Sequence, residues 1–191
     1  MQNKKIVSFL PALLFTSLLF SQPLSGISTQ WSDSFVAWDI FIWDKNEEEK
    51  EVITGTLTQR WINVKEDWTE WDFNFDEQEG TIKLKWKNDP SQWELRSFRG
   101  DIVTMKMIWT GDITEWRISD GMITLDWHSR YTNTLGLWEL RTKEYGKFSV
   151  QVMNDNDPRD WDITDELDDN ISVSMKLAMT FIAVWQSSPK Q

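Results

Sequence analysis

The chain has 191 residues, a formal net charge of −11, no Cys, one His and 14 Trp. Without Cys there are no disulfides, no thiolate nucleophile and no Cys-based zinc site, and so acidic a chain is a poor partner for nucleic acid, whose phosphates need a basic surface. At 40% hydrophobic residues with this many aromatics, it buries enough surface to fold and is not a disordered acidic tail.

Lys4 and Lys5 precede the apolar run Ile6 to Phe20, with small residues at Ser21, Ser25, Gly26 and Ser28. This is the pattern of a cleaved export signal, and the run is shorter than the ~20 residues that span a bilayer. Residues 1–28 are therefore expected to be a signal peptide cut between Ser21 and Ser28, which places the protein outside the cell or in a periplasm. Loss of the two lysines takes the mature charge to −13. Residues 29–186 are expected to form one domain and 187–191 a short polar tail.

Two strand candidates follow, Phe35 to Trp43 and Val52 to Val64, joined by the charged stretch Asp44 to Glu51. Trp38-Asp39-Ile40 matches a pattern that recurs downstream, so this is read as a degenerate first repeat. In the first strand Val36, Trp38, Ile40 and Ile42 are expected to face the core, with Phe35, Phe41 and Trp43 opposite.

From residue 67 the chain is periodic. Trp-polar-apolar recurs at Trp71-Asp72-Phe73, Trp93-Glu94-Leu95, Trp116-Arg117-Ile118, Trp138-Glu139-Leu140 and Trp161-Asp162-Ile163, at spacings of 22, 23, 22 and 23. Four residues before the Trp stand Asp67, Asp89, Asp112 and Asp157, with Thr134 in the remaining unit. Each unit continues through a turn into an alternating segment, such as Ile82-Lys83-Leu84-Lys85-Trp86 or Phe148-Ser149-Val150-Gln151-Val152. Alternation with period two is that of a half-buried strand. The last such segment, Ile171-Ser172-Val173-Ser174-Met175, is expected to be a strand too, and it leads into the apolar Leu177 to Trp185. In the third unit Asp120-Gly121 supplies a tight turn, predicting that Ile118 pairs with Ile123 and Trp116 with Leu125. Longer turns are expected at Asp76 to Gly80 and Lys143 to Gly146.

The fold expected is all-β, about twelve strands built from 22–23-residue Trp-x-apolar hairpin repeats, an antiparallel meander closed as a barrel or a two-layer sheet. A β-solenoid is the alternative. A transmembrane barrel needs strands of about 9 to 11 residues, and Trp116 to Ser119 is too short. In repeat length and recurring aromatic the units resemble choline-binding and MORN repeats, whose characteristic glycines this sequence lacks.

Chemistry has few candidates. His128 follows Trp127 on a strand and is expected to face solvent, and no nucleophile elbow, phosphate loop or zinc helix is present, so a non-enzymatic role is expected and no cofactor. Asp155, Asp157, Asp165, Asp168 and Asp169 form the one candidate for calcium, through converging oxygens. Apolar outer faces on both terminal strands nominate Phe35, Phe41, Trp43, Ile182 and Val184 as an interface for a second copy or a protein partner. Most Trp, Trp86, Trp109 and Trp127 among them, are assigned to the core, with Trp31, Trp43 and Trp68 off the buried face. The function expected is binding or structural; a polysaccharide-binding module and a barrel holding an apolar ligand in a Trp-lined interior are the alternatives.

Overall fold

The computed structural model describes residues 23–44, 50–62, 64, 67–155 and 157–189. Residues 1–22 of the expected leader lie outside them. Twelve antiparallel strands run as a meander: β1 (Leu24–Trp31), β2 (Ser34–Asp44), β3 (Lys50–Gln59), β4 (Glu70–Phe75), β5 (Gln78–Trp86), β6 (Asp89–Ser97), β7 (Ile102–Met107), β8 (Glu115–Ser119), β9 (Thr124–Ser129), β10 (Leu137–Leu140), β11 (Gly146–Asn154) and β12 (Asp157–Leu167). β1 pairs with both β2 and β12, so the sheet closes into a barrel.

The strand count agrees with the expectation, but its membership does not. β1 begins at Leu24, inside the Ser21 to Ser28 stretch where the leader's cut is expected, and is not among the expected strands, and the segment expected as the twelfth strand, Ile171 to Met175, instead enters an α-helix, α1 (Val173–Ser187). Ser172 caps it, its Oγ accepting the Met175 amide at 3.2 Å. Every residue from Val173 to Trp185 is buried. A helix that is apolar all round must be enclosed, and here the barrel encloses it. Ser174 Oγ donates to Asp101 Oδ2 at 2.8 Å near the β6–β7 turn, while Ser187 Oγ donates to the Leu135 carbonyl at 2.7 Å before β10. These two turns are at opposite ends of the barrel, so α1 threads it from end to end.

Barrel size requires such a filling. Eight strands leave a lumen that wall side chains fill alone, and width grows with strand number. Twelve strands 4.8 Å apart, tilted by about 40°, give a backbone radius of roughly 12 Å, against the ~10 Å separation of ordinary packed layers. Trp, the largest side chain, bridges that excess. Trp38, Trp71, Trp93, Trp116, Trp138 and Trp161 stand on β2, β4, β6, β8, β10 and β12, all buried. Phe181 and Trp185 of α1 meet Trp93 at 5.0 and 4.8 Å between ring centres, edge to face.

The repeat has a polar half that holds each indole still. In all six units Nε1 donates to the carbonyl three residues earlier, from Trp38 to Phe35 at 3.0 Å through to Trp161 and Pro158 at 2.9 Å. The Asp one residue further back turns the chain there: Asp67, Asp89 and Asp112 each accept the amide and the hydroxyl of the Thr or Ser two residues on. Ser34 takes that place in the first unit, which makes Trp38 a full member of the repeat. The spacing of Asp to Trp is thus the length of a turn plus one bonded indole.

Local turn chemistry corrects two registers. Asp120 Oδ1 accepts the amides of both Met122 and Ile123, at 2.9 and 2.8 Å, building a four-residue connection, so Ile118 faces Leu125 and Trp116 faces Trp127. The shift is two residues and leaves the faces unchanged. Between β4 and β5 the turn is only Asp76-Glu77, both with positive φ, and Gly80 lies inside β5. A Cβ there would stand 2.2 Å from the Arg96 carbonyl and 2.6 Å from the Phe73 ring. β3 stops at Gln59, short of the Val64 expected.

Outside, the wall is charged. Arg117 on β8 pairs with Asp126 on β9 at 2.9 Å, Lys83 on β5 with Glu70 on β4 at 2.7 Å, and Arg141 binds Glu115. A lipid-facing barrel carries an apolar band outside and polar groups inside, the reverse of this arrangement. No helix among the described residues is long and apolar enough to cross a membrane.

Candidate functional site

Because the wall stands wider than one helix can fill, α1 lies off centre. It packs chiefly against β6, β7 and β8, and slack collects about a third of the way round the wall. There, between α1 and β2 to β4, is a cavity of about 230 Å³. Trp38, Leu57 and Trp71 form its wall side, Phe181, Val184 and Trp185 its helix side, and Phe35, Trp68 and Val64 stand toward its mouth. Among the described residues no charged side chain lines it, and Gln59 and Ser188 are the polar members. Gln59 is fixed by donating Nε2 to the Asp67 carbonyl at 2.7 Å. The Trp68 and Trp185 rings are 5.5 Å apart and tilted, joining the mouth to the helix.

The mouth lies at the end of the barrel where α1 terminates and where odd strands hand over to even ones. Each of the six connections at that end exposes a large apolar side chain: Trp31, Trp61, Trp86, Trp109, Tyr131 and Met153 in chain order. Trp86 is 57% and Trp109 64% exposed, which corrects their assignment to the core. A register shift between Leu84 and Trp86 turns the latter outward, and Trp109 lies beyond the end of β7. Trp127 is buried as expected. Four of the five exposed Trp belong to this rim; Trp43, near the other end, is the fifth.

Ion pairs hold the rim connections. Trp61 Nε1 donates to Glu70 Oε2 at 3.4 Å. Burial works against the Glu70 charge, but hydrogen bonds from Lys83 and Trp61 and the charges of Lys83 and Arg60 outweigh it, so its carboxyl stays below the usual range. The Arg159 guanidinium grips Asp157 with two bonds of 2.7 Å and holds its carboxyl low. It also donates to the Ser32 carbonyl at 2.8 Å, tying β12 to the β1–β2 turn.

Beside the cavity mouth is a wider depression of about 560 Å³, bounded by Tyr131, Asn133, Gln151, Asp155, Asp157 and Ser187. It contains two of the calcium candidates. The other three are elsewhere: Asp165 is eight residues along β12, roughly 26 Å at the rise of a strand, and Asp168 and Asp169 follow β12 at the far end. Asp165 is engaged by Lys176 Nζ at 2.9 Å. The five aspartates do not converge, and no group of three or more His, Asp or Glu among the described residues is placed to hold a metal.

The expected interface also separates. Ile182 and Val184 lie on α1 inside the barrel, 0% and 1% exposed. Phe35 is half-buried against Trp38 at 6.0 Å between ring centres, and Phe41 and Trp43 are on the outer side of β2, half-buried and exposed. The reason is the helix: what reads as a strand with two apolar faces is an enclosed element that needs apolar groups on every side. His128 lies on the outer wall of β9, across from Glu139 at 3.9 Å, remote from the cavity.

Of the residues that line the cavity, Trp68 is expected off the buried face and is half-buried, whereas Trp71 and Trp185 share the pattern of the core, since wall, plug and site use the same side chains. Comparison with known proteins found no protein family, no curated relative and no solved structure that matches this chain.

Proposed function

We propose that the protein is an exported, non-catalytic binder of a small apolar molecule, held in the cavity between α1 and β2 to β4. The observation that carries this reading is the lining: about 230 Å³ walled by four indoles, two phenyl rings and aliphatic groups, with Gln59 and Ser188 the polar side chains among the described residues. A dry cavity of about 150 Å³ lined by aliphatic and aromatic groups takes up benzene, so this one suits a guest of about a dozen non-hydrogen atoms, flat or unbranched. The described lining supplies no acid, base or nucleophile, which favours carriage or sensing over catalysis. The leader-like Ile6 to Phe20 supports an extracellular or periplasmic setting.

Naphthalene and decanol serve as probes, followed by Trp fluorescence and calorimetry. Saturable one-to-one binding is expected with Kd on the order of 0.1 mM, since a guest this small gains well under 1 kcal/mol per atom. Val184→Phe and Leu57→Phe place a ring in the cavity and are expected to weaken binding at least tenfold while the variants remain folded. Equal affinity in both filled variants, or no saturable binding to the unaltered protein, overturns the reading.

A further inference from the structure

The rim around the cavity mouth has a chemistry of its own. Trp31, Trp61, Trp86, Trp109 and Tyr131 are amphipathic aromatics, one per connection, followed by Met153 on the sixth. Single exposed apolar residues are ordinary, but here every turn at one end of a closed barrel has one. Six consecutive connections encircle the mouth, so the side chains form a ring about as wide as the barrel, roughly 24 Å across its backbone. A linear glycan or an extended peptide touches one or two members of such a ring. All six are reached together by a flat surface, and Trp and Tyr are the residues that settle at the junction of lipid headgroups and acyl chains. Charge separates the two ends as well. Around the ring, Arg60, Lys87, Arg130 and Arg159 stand among the acidic side chains. At the far end Asp76 and Glu77 lie in one turn and Glu166, Asp168 and Asp169 in another, offset in part by Arg99, which pairs with Glu77 at 3.3 Å, and by the basic connection between β10 and β11. The charged outer wall stops the barrel from sinking deeper than its rim.

We infer that this aromatic ring seats the barrel, mouth down, on a zwitterionic phospholipid surface. With those four basic side chains against Asp33, Asp67, Asp89, Asp112, Asp155 and Asp157, the described ring is less acidic than the far end, so it is the end that faces a zwitterionic surface, while anionic membranes repel the protein. Seating brings the cavity mouth against the acyl region, so a guest passes between bilayer and cavity without crossing water; that last consequence rests on the proposed cavity function, whereas the seating does not.

Flotation with phosphatidylcholine vesicles tests it. The full-length mature protein is expected to float with the vesicles, less so when half the lipid is phosphatidylglycerol. The double variant Trp86→Gln/Trp109→Gln, whose side chains are outside the core and the cavity lining, is expected to cut the bound fraction at least tenfold. Phe98→Gln/Met122→Gln, exposed at the far end, is expected to leave it unchanged. No flotation of the unaltered protein, equal flotation of the rim variant, or equal loss in the far-end variant overturns the seating. So does a dimer that the rim variant dissolves, because the ring then belongs to a second copy. Naphthalene titration of the rim variant keeps the two readings apart: retained affinity with lost flotation supports both, and Val184→Phe is expected to lose naphthalene and still float.

Discussion

Lys176 is the one charged residue on an otherwise enclosed helix, and removing its charge tests whether the helix is the plug of the barrel. Its ammonium is 2.9 Å from Asp165 Oδ2, with the two side chains 6% and 1% exposed. The same carboxylate oxygen accepts the Leu24 amide at 3.0 Å, so one atom joins α1, β12 and β1 at the seam where the barrel closes. Lys176→Met preserves length and apolar stem but strands a carboxylate that water does not reach. Breaking a buried pair in this way costs about 3–5 kcal/mol, or roughly 6–20 °C in melting temperature for a chain of this size. Adding Asp165→Asn removes the stranded charge and keeps an oxygen for Leu24, so the double variant is expected to return to within about 1 kcal/mol of the original. Lys176→Met with Asp165→Leu instead leaves the Leu24 amide unpaired and is expected to settle about 1–3 kcal/mol lower. Urea unfolding followed by Trp fluorescence and far-UV circular dichroism reads all four proteins. A single variant within ~1 kcal/mol of the original, or a double variant no better than the single, refutes a helix enclosed by the barrel.

Asp112→Ala removes the acceptor for the Thr114 amide and hydroxyl, 2.9 and 2.5 Å away, and is expected to cost about 1 kcal/mol, seen as a drop of roughly 2–4 °C in the thermal melt; an unchanged melt denies the turn its role. Gly80→Ala drives a methyl group into the Arg96 carbonyl and the Phe73 ring and is expected to lose about 1–3 kcal/mol in urea. Hydrogen bonds from Ser91 hold the Asp89 carboxyl low, as Arg159 does for Asp157, and Glu70 is lowered as well. Depressed carboxyls contribute stability that is present above their unfolded-state values and lost as pH falls through the folded ones. The melting temperature is therefore expected to hold from neutral pH down to the ordinary carboxylate range and to fall below it; a fall that begins above that range contradicts the assignment. Leu24, Ser25 and Ile27 are buried in the closing strand, so cleavage of an exported chain is expected near Ser21, and intact mass of the mature protein beginning near Ser28 would count against β1 as a wall strand.

Alternation made the hairpin strands legible because each has one wet and one dry face. The same logic failed where both faces are dry. Val173 to Trp185 begins Val-Ser-Met-Lys-Leu, which alternates, and continues as an apolar run with no helical stripe, since an enclosed helix has no solvent side to mark. Two signals were there to use: a run of this length exceeds the four to eight residues of a typical strand, and Ser172 stands before it as a capping residue. β1 was hidden for a different reason: its apolar, small residues Leu24 to Ser28 are those of a leader's end. Trp86 and Trp109 misled because identity of residue outweighed position: a register shift after Leu84 turns Trp86 outward, and Trp109 lies beyond the end of β7. As for the cavity, it follows from the circumference of the sheet, a property of strand number and tilt that no local pattern of residues displays.

The enclosed helix is synthesised after every strand of the barrel. Gly26 pairs with Asp162, so the barrel cannot shut until nearly the whole chain is available, and the element that fills its lumen arrives later still. The hairpins of the meander are local, but closure between β1 and β12 and the filling of the lumen by Val173–Ser187 wait for the end of the described chain, which makes these the late steps of folding. A stop codon near residue 172 therefore removes the helix that the wall packs against and leaves the inward indoles of Trp71, Trp93 and Trp116 facing an unfilled lumen.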